Sequence, residues 1–279
     1  MLGISPNKGD IVDTIRVNRS KIGSLRHTRV GLALLALSIS TLAASANEGA
    51  IEINQVCASL GGCFSGDLGG FPVTITNAGS YRLTSDLSLS TADTTGIRIT
   101  GDDVSIDLAG FTIQGPGTVG TGRGIEHFTG SRVRIRNGSI VGTGSTGISL
   151  RVVATVTNMF VSDTGGSCIS TSNAGMIRNS RVLRCGNSGI VPGGSPGLVL
   201  DSTVIDAVSI GIEAFVSVGV HRNVVRGSGL EALDGSFNNA YSNNILVENN
   251  GGSSNPQVTT SGMVNLEGNL CGTGPAACP

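Results

Sequence analysis

Cys168-Ile169-Ser170-Thr171-Ser172-Asn173-Ala174-Gly175-Met176-Ile177-Arg178-Asn179-Ser180-Arg181-Val182-Leu183-Arg184-Cys185-Gly186-Asn187-Ser188 is one unit of a pattern that repeats along most of the chain. It contains three strand-like pieces, Cys168–Thr171, Met176–Arg178 and Arg181–Arg184. Turn residues separate them: Ser172-Asn173-Ala174-Gly175, Asn179-Ser180 and Gly186-Asn187-Ser188. Outward from this unit, Ile140, Val161, Val182, Val204, Val225 and Leu246 recur every 21 or 22 residues. A polar column keeps step: Asn137, Asn158, Asn179, Asp201, Arg222 and Asn243. So does a small residue followed by an aliphatic, at Gly96-Ile97, Gly124-Ile125, Gly147-Ile148, Cys168-Ile169, Gly189-Ile190, Gly211-Ile212 and Gly229-Leu230.

A fixed period of this length marks a solenoid, whose repeats bury apolar side chains only against neighbouring repeats. The dense leucine consensus of leucine-rich repeats is missing. No segment sustains apolar residues at helical spacing, and 43 glycines are scattered too densely for long helices. The fold class is therefore all-β, a parallel β-helix with three short strands per coil and a rise of roughly 4.8 Å per coil. Ile148, Ile169, Ile190 and Ile212 are its expected inward stack. The column Asn137, Asn158, Asn179 and Asp201 is its expected ladder, at a turn where Asn tolerates left-handed backbone and bonds the amide of the next coil. Arg222 interrupts the column, with Asn223 beside it.

The three-strand coil, the aliphatic stacks and the asparagine ladder resemble the right-handed parallel β-helix of the pectate-lyase-like superfamily. Val104-Ser105-Ile106-Asp107-Leu108-Ala109-Gly110-Phe111-Thr112-Ile113-Gln114-Gly115 is also similar to an early coil of bacterial β-helix repeat proteins. The resemblance covers roughly residues 72–270. It implies fold more than chemistry, because one fold hosts many activities.

Residues 1–46 read as a secretory signal. Arg16, Arg19, Lys21, Arg26 and Arg29 precede an apolar run from Val30 to about Ala43, and Ala44-Ser45-Ala46 is a small-residue cleavage site. The run is too short to span a bilayer, and no second apolar stretch reaches that length. Residues 47–71 form an N-terminal cap, 72–270 the solenoid and 271–279 a C-terminal cap. The six cysteines fit an oxidising, extracellular or periplasmic destination. Cys57 with Cys63 and Cys271 with Cys278 are placed to staple the two caps; Cys168 and Cys185 share a coil, either paired across it or as buried thiols.

Both lysines lie in the signal. Setting aside Lys8, Lys21, Arg16, Arg19, Arg26 and Arg29 from the eighteen cations leaves twelve arginines. Setting aside Asp10 and Asp13 from the nineteen carboxylates leaves seventeen, a mildly acidic balance that gives no reason to propose nucleic acid. Arg132, Arg134 and Arg136 alternate along one strand, so they share a face that is either solvated or touches an anion. Asp163, Arg184 and Asp206 occupy equivalent positions in three successive coils, a charge ladder that fixes register.

In enzymes of the resembling superfamily, substrate lies in a groove along the first sheet. Its expected outward row here is Glu126, Ser149, Ser170, Val191, Glu213 and Glu231, and the next is Phe128, Arg151, Ser172, Gly193, Phe215 and Leu233. Glu213 and Glu231 would then stack in adjacent coils beside Asp234. Such a pair is screened by solvent, or raises one pKa, or takes a cation such as calcium, the one cofactor the sequence suggests. With Arg151 as a distant base, these residues are the candidates for catalysis. His127 is expected to point inward, and His221 outward beside Arg222 on the second sheet.

Two readings follow. In one, a secreted β-helix binds cell-envelope or matrix polysaccharide without catalysis. In the alternative, a lyase or hydrolase acts on a uronic-acid glycan in the first-sheet groove. The Asn-Thr-Asp and Gly-His-Gly runs of polygalacturonase-like hydrolases are missing, as is the Asp-Pro-His-Asp of alginate epimerases. Asp102-Asp103 sits in a turn without partners of that kind. Absent Trp, only two Tyr and short turns also favour the first reading.

Overall fold

Runs of three to five residues that alternate aliphatic with polar, broken by single residues able to turn left-handed, wind the chain into about nine stacked coils. The computed structural model describes residues 49–252, 256–259, 262–272 and 278. The signal expected over residues 1–46 lies outside them. Among the described residues, no helix is long and apolar enough to cross a membrane.

Strands pair in parallel along three faces. The first face stacks Val73–Ile75, Ile97–Ile99, Ile125–His127, Ile148–Leu150, Ile169–Asn173, Ile190–Val191, Ile212–Val216 and Leu233–Phe237. The second runs from Ile51–Ile53 through Gly79–Leu83 and Val104–Asp107 to Met263–Asn265. The third runs from Leu87–Ser88 to Leu270–Cys271. Register is direct: Val161 pairs with Val182, Val182 with Val204, Val204 with Val225 and Val225 with Leu246. Each is fully buried, as are Ile148, Ile169, Ile190 and Ile212. The second face adds its own buried stack, Ile106, Ile135, Val156, Ile177, Val199, Val220 and Tyr241.

The small-residue column has a steric cause. A Cβ on Gly147 would strike Val161 of the same coil, and one on Gly211 would strike Val225. Cys168 occupies this column with its side chain joined to Cys185. Both cysteines are fully buried, so this disulfide crosses the coil interior. Cys57–Cys63 and Cys271–Cys278 close the two ends as expected.

Each regular coil turns at three corners, and each corner is one left-handed residue. The first corner is Arg132, Val153, Ala174, Ser195, Ser217 and Asn238. The second is Asn137, Asn158, Asn179, Asp201, Arg222 and Asn243, with φ between 48° and 59°. The third is Gly142, Asp163, Arg184, Asp206, Gly227 and Glu248. Left-handed backbone costs a non-glycine residue roughly 1–2 kcal/mol, least for Asn and Asp. That explains the polar column, although Arg222 continues it instead of ending it. Within a coil the first, second and third corners are five residues apart, and eleven residues that include the first-face strand lead on to the next coil's first corner; the six between Ser195 and Asp201 turn a 21-residue coil into a 22-residue one.

Only part of the second-corner column bonds as an amide ladder: Asn158 Nδ2 donates to Asn137 Oδ1 at 3.2 Å. The more continuous ladder lies one residue further on and is buried. Ser180 Oγ accepts from the Met159 N–H, and Ser202 Oγ from the Ser180 N–H. Asn223, Asn244 and Asn269 then accept, through Oδ1, the N–H of Ser202, Asn223 and Asn244, each at 2.9 Å. The amide nitrogens of Asn223 and Asn244 donate to the Val199 and Val220 carbonyls.

The N-terminal end is covered by the helix Gln55–Leu60, whose N-cap Asn54 accepts the Cys57 N–H. Asp67 fastens this cap by accepting the N–H groups of Cys63 and Thr74, both at 2.9 Å. The strand Ile51–Ile53, inside the segment read as a cap, already pairs with Tyr81–Leu83.

Asn244 and Asn243 are neighbours with opposite burial. The Asn244→Ala variant removes the acceptor of the buried Asn223 N–H and the amide donor to the Val220 carbonyl; an unpaired buried N–H costs about 1–3 kcal/mol. Thermal unfolding is expected to lose clearly more midpoint in Asn244→Ala than in Asn243→Ala. Equal losses would remove the buried ladder from the account.

Candidate functional site

On the outer side of the first face, register aligns Arg98, Glu126, Ser149 and Ser170 in one row. Further along the stack Glu213 pairs with Asp234, not with Glu231. The inward column continues from Gly211-Ile212 to Ala232-Leu233, both fully buried, whereas Leu230 is 48% exposed. Gly229-Leu230 and Ala232-Leu233 both satisfy the small–aliphatic rule; the 21-residue step from Gly211 selects the second. Leu233 therefore points inward, and Glu231 lies in the turn, where its carbonyl accepts the Gly211 N–H.

Glu213 is tied down by the buried Ser188, whose Oγ donates to Oε2 at 2.7 Å. Asp234 is its neighbour in the next coil. Arg151 lies three coils away, roughly 14 Å along the stack. Of the four residues singled out for catalysis, Glu213 and Asp234 are therefore neighbours, Glu231 lies in the turn before Asp234, and Arg151 stands apart. Among the described residues, no three His, Cys, Asp or Glu side chains converge as metal ligands. Glu213 and Asp234 would supply only part of the six to eight oxygens calcium takes, the rest falling to backbone carbonyls and water.

At the other end of this row, Glu126 is buried, because Arg98 Nε and Arg123 Nη1 close over its carboxylate at 2.6 and 2.7 Å. Alternation places it on the outer side; the turn carrying Arg123 covers it. His127 points inward as expected and is 3% exposed. Its Nδ1 accepts the Arg151 N–H at 3.3 Å, so the neutral ring carries its proton on Nε2, which is buried without a well-formed partner. Burial depresses the His127 pKa, reinforced by Arg151 and only partly offset by the Thr129 backbone and Asp102. His221 lies on the second face, its Nδ1 2.8 Å from Ser242 Oγ. Burial lowers its pKa as well, with Arg222 adding to the effect.

Charge is organised at the corners. Arg132 grips Asp103, Arg184 grips Asp163 and Arg222 grips Asp201, each through two parallel bonds of 2.6 to 2.9 Å. In all three pairs the aspartate belongs to the earlier coil and the arginine to the next. These hydrogen bonds hold the three carboxyls below the usual carboxylate range. Arg132 is thereby drawn out of the expected arginine face. Asp102 has a structural task too, accepting the Ser131 N–H and Oγ–H at 2.7 and 2.9 Å.

The second corner is flanked by two depressions. On its third-face side a shallow groove of about 570 Å³ is lined by Ser139, Asn158, Asn179, Ser180, Arg181, Asp201 and Thr203 among others. On its second-face side a recess of about 400 Å³ is lined by Arg134, Arg136, Asn137, Thr155, Thr157, Asn158 and Arg178. Asn158 belongs to both. Sequence reasoning named the asparagines as scaffold and missed that the same column borders a groove; its signal was the exposure implied by a tight polar turn.

No protein-family model matches this chain, and no curated protein or solved structure matches it significantly.

Both histidines favour the neutral form when folded, while an unfolded histidine titrates near 6.5. Their contribution is complete above that value and is lost as pH falls toward the depressed folded pKa. The thermal midpoint is expected to drop between about pH 7.5 and 5. In His127→Asn, whose Oδ1 can still accept the Arg151 N–H, that slope should flatten. An unchanged slope in both His127→Asn and His221→Asn would contradict this assignment.

Proposed function

We propose that this protein is secreted and binds a linear polysaccharide of the cell envelope or extracellular matrix, without turning it over. One observation carries the reading: the groove along the second corner, where amide and hydroxyl side chains recur once per coil. A periodic protein surface suits a periodic ligand. Asn158 and Asn179 each offer donors and an acceptor, the complement of sugar hydroxyls, and bridging water extends such contacts across a shallow groove. Three disulfides suit an oxidising compartment. The resemblance to the pectate-lyase-like superfamily rests on the coil pattern alone and lends general support to a glycan ligand. The enzymatic alternative has less behind it, since Glu213 and Asp234 are adjacent while Glu231 and Arg151 are not beside them.

Binding can be measured by affinity electrophoresis through dextran, galactomannan, alginate and polygalacturonate, alongside assays for reducing ends and unsaturated products with and without calcium. Retardation by at least one polymer without product release is expected. The Asn158→Gly/Asn179→Gly variant removes the amides while keeping the left-handed backbone unstrained. It should weaken binding about tenfold, the equivalent of one or two hydrogen bonds. Product release that disappears in Glu213→Gln would overturn the proposal in favour of the enzyme.

A further inference from the structure

We propose that the recess between Arg134, Arg136 and Arg178 on the second face is an oxyanion subsite, seating a carboxylate or sulfate carried by the bound polysaccharide. The proposal rests on the glycan-binding reading and adds the charge class of the ligand. Register defines the recess: Arg136, Thr157 and Arg178 follow one another in three successive coils, and Arg134 pairs with Thr155 beside them. Two long side chains flanking a short one leave a hollow over Thr157. Arg178 leans across it, with Nε 3.5 Å from Thr157 Oγ1.

Charge in this recess is unbalanced. Only Arg136 has a carboxylate, Asp107 at 3.0 Å, and that carboxylate also accepts the Ala109 N–H and the Asn137 amide. Arg134 and Arg178 have no carboxylate within ion-pair distance among the described residues, unlike Arg132, Arg184 and Arg222 at the corners. Among the described residues, the one ion pair in the recess is thus Asp107 with Arg136, which leaves Arg134 and Arg178 without an ion-pair partner. The scaffold does not require them. Later coils fill the same two columns with Met176, Leu198 and Gly219, and with Leu200 and His221.

Planar guanidinium forks match carboxylate and sulfate oxygens in pairs, and the Thr155 and Thr157 hydroxyls add donors between them. Position completes the case. Asn158 borders both the recess and the groove, where Arg181 and Asp201 are of opposite sign. A polymer lying along the second corner would present its charged substituents on the recess side and its hydroxyls on the other.

Titration calorimetry with dextran, dextran sulfate and polygalacturonate tests this at low and high salt. The wild-type protein is expected to bind one charged polymer at least about tenfold tighter than dextran, with the preference weakened by salt. The polymer preferred, sulfated or carboxylated, identifies the oxyanion. Arg134→Gln/Arg178→Gln changes two exposed side chains that form no ion pair among the described residues, and its unfolding midpoint checks that the fold persists. It should bring the charged polymer down to the dextran level, while Arg226→Gln on the third face should not. Equal binding of neutral and charged polymers, or a charge preference that survives the double variant, would overturn the subsite and leave the glycan reading standing. Binding to no polymer of any charge would overturn both.

Discussion

A residue in left-handed backbone at the same place in every coil is the constraint on which this molecule depends. Extended chain at about 3.3 Å per residue does not close a loop of 21 residues; three sharp corners do. Because corners recur at fixed intervals, five residues across the second and third faces and eleven around the first, each face receives the same short run in every coil, and side chains at equivalent positions stand one above another. The aliphatic stacks, the buried serine–asparagine ladder and the outward rows all follow from that alignment. Val153 shows the constraint outranking local preference, since a β-branched residue adopts φ 54° there.

Stacking in register makes every chemical choice a column choice. A charge placed at a corner meets the corner of the next coil at roughly 4.8 Å, where a like charge repels and an opposite one pairs. The chain answers with an aspartate followed by an arginine at all three corners. These pairs are about half exposed, so their main service is to register, since solvent screens such pairs. Away from the corners the same geometry concentrates charge when partners are withheld, as in the column of Arg136, Thr157 and Arg178.

How much of this could be read from residues alone differs between core and surface. The columns of Ile, Val and Asn announce their period because burial and left-handed backbone admit few residue types. The crossing of Cys168 to Cys185 could not be chosen beforehand, since two buried thiols would satisfy the same spacing. The buried ladder escaped notice because Ser180, Ser202, Asn223 and Asn244 each follow a corner residue that looked like the ladder itself. Glu231 was misplaced because two small–aliphatic pairs lie three residues apart, and only exact register separates them. The burial of Glu126 depends on Arg123 from a preceding turn, a contact that no periodicity encodes.

Function is set by which outward columns remain free once the fold is satisfied, and that depends on the coils lying directly over one another. Engineered cross-links measure this most directly. Ser149 and Ser170 are paired outward residues of adjacent coils, within the Cα separation a disulfide accepts, whereas Ser149 and Val191 are two coils apart, roughly 9.6 Å, beyond it. Peptide mapping after mild oxidation should find the new bond in Ser149→Cys/Ser170→Cys and not in Ser149→Cys/Val191→Cys. Failure of the first pair in folded protein, or equal cross-linking of the second, would contradict the stack.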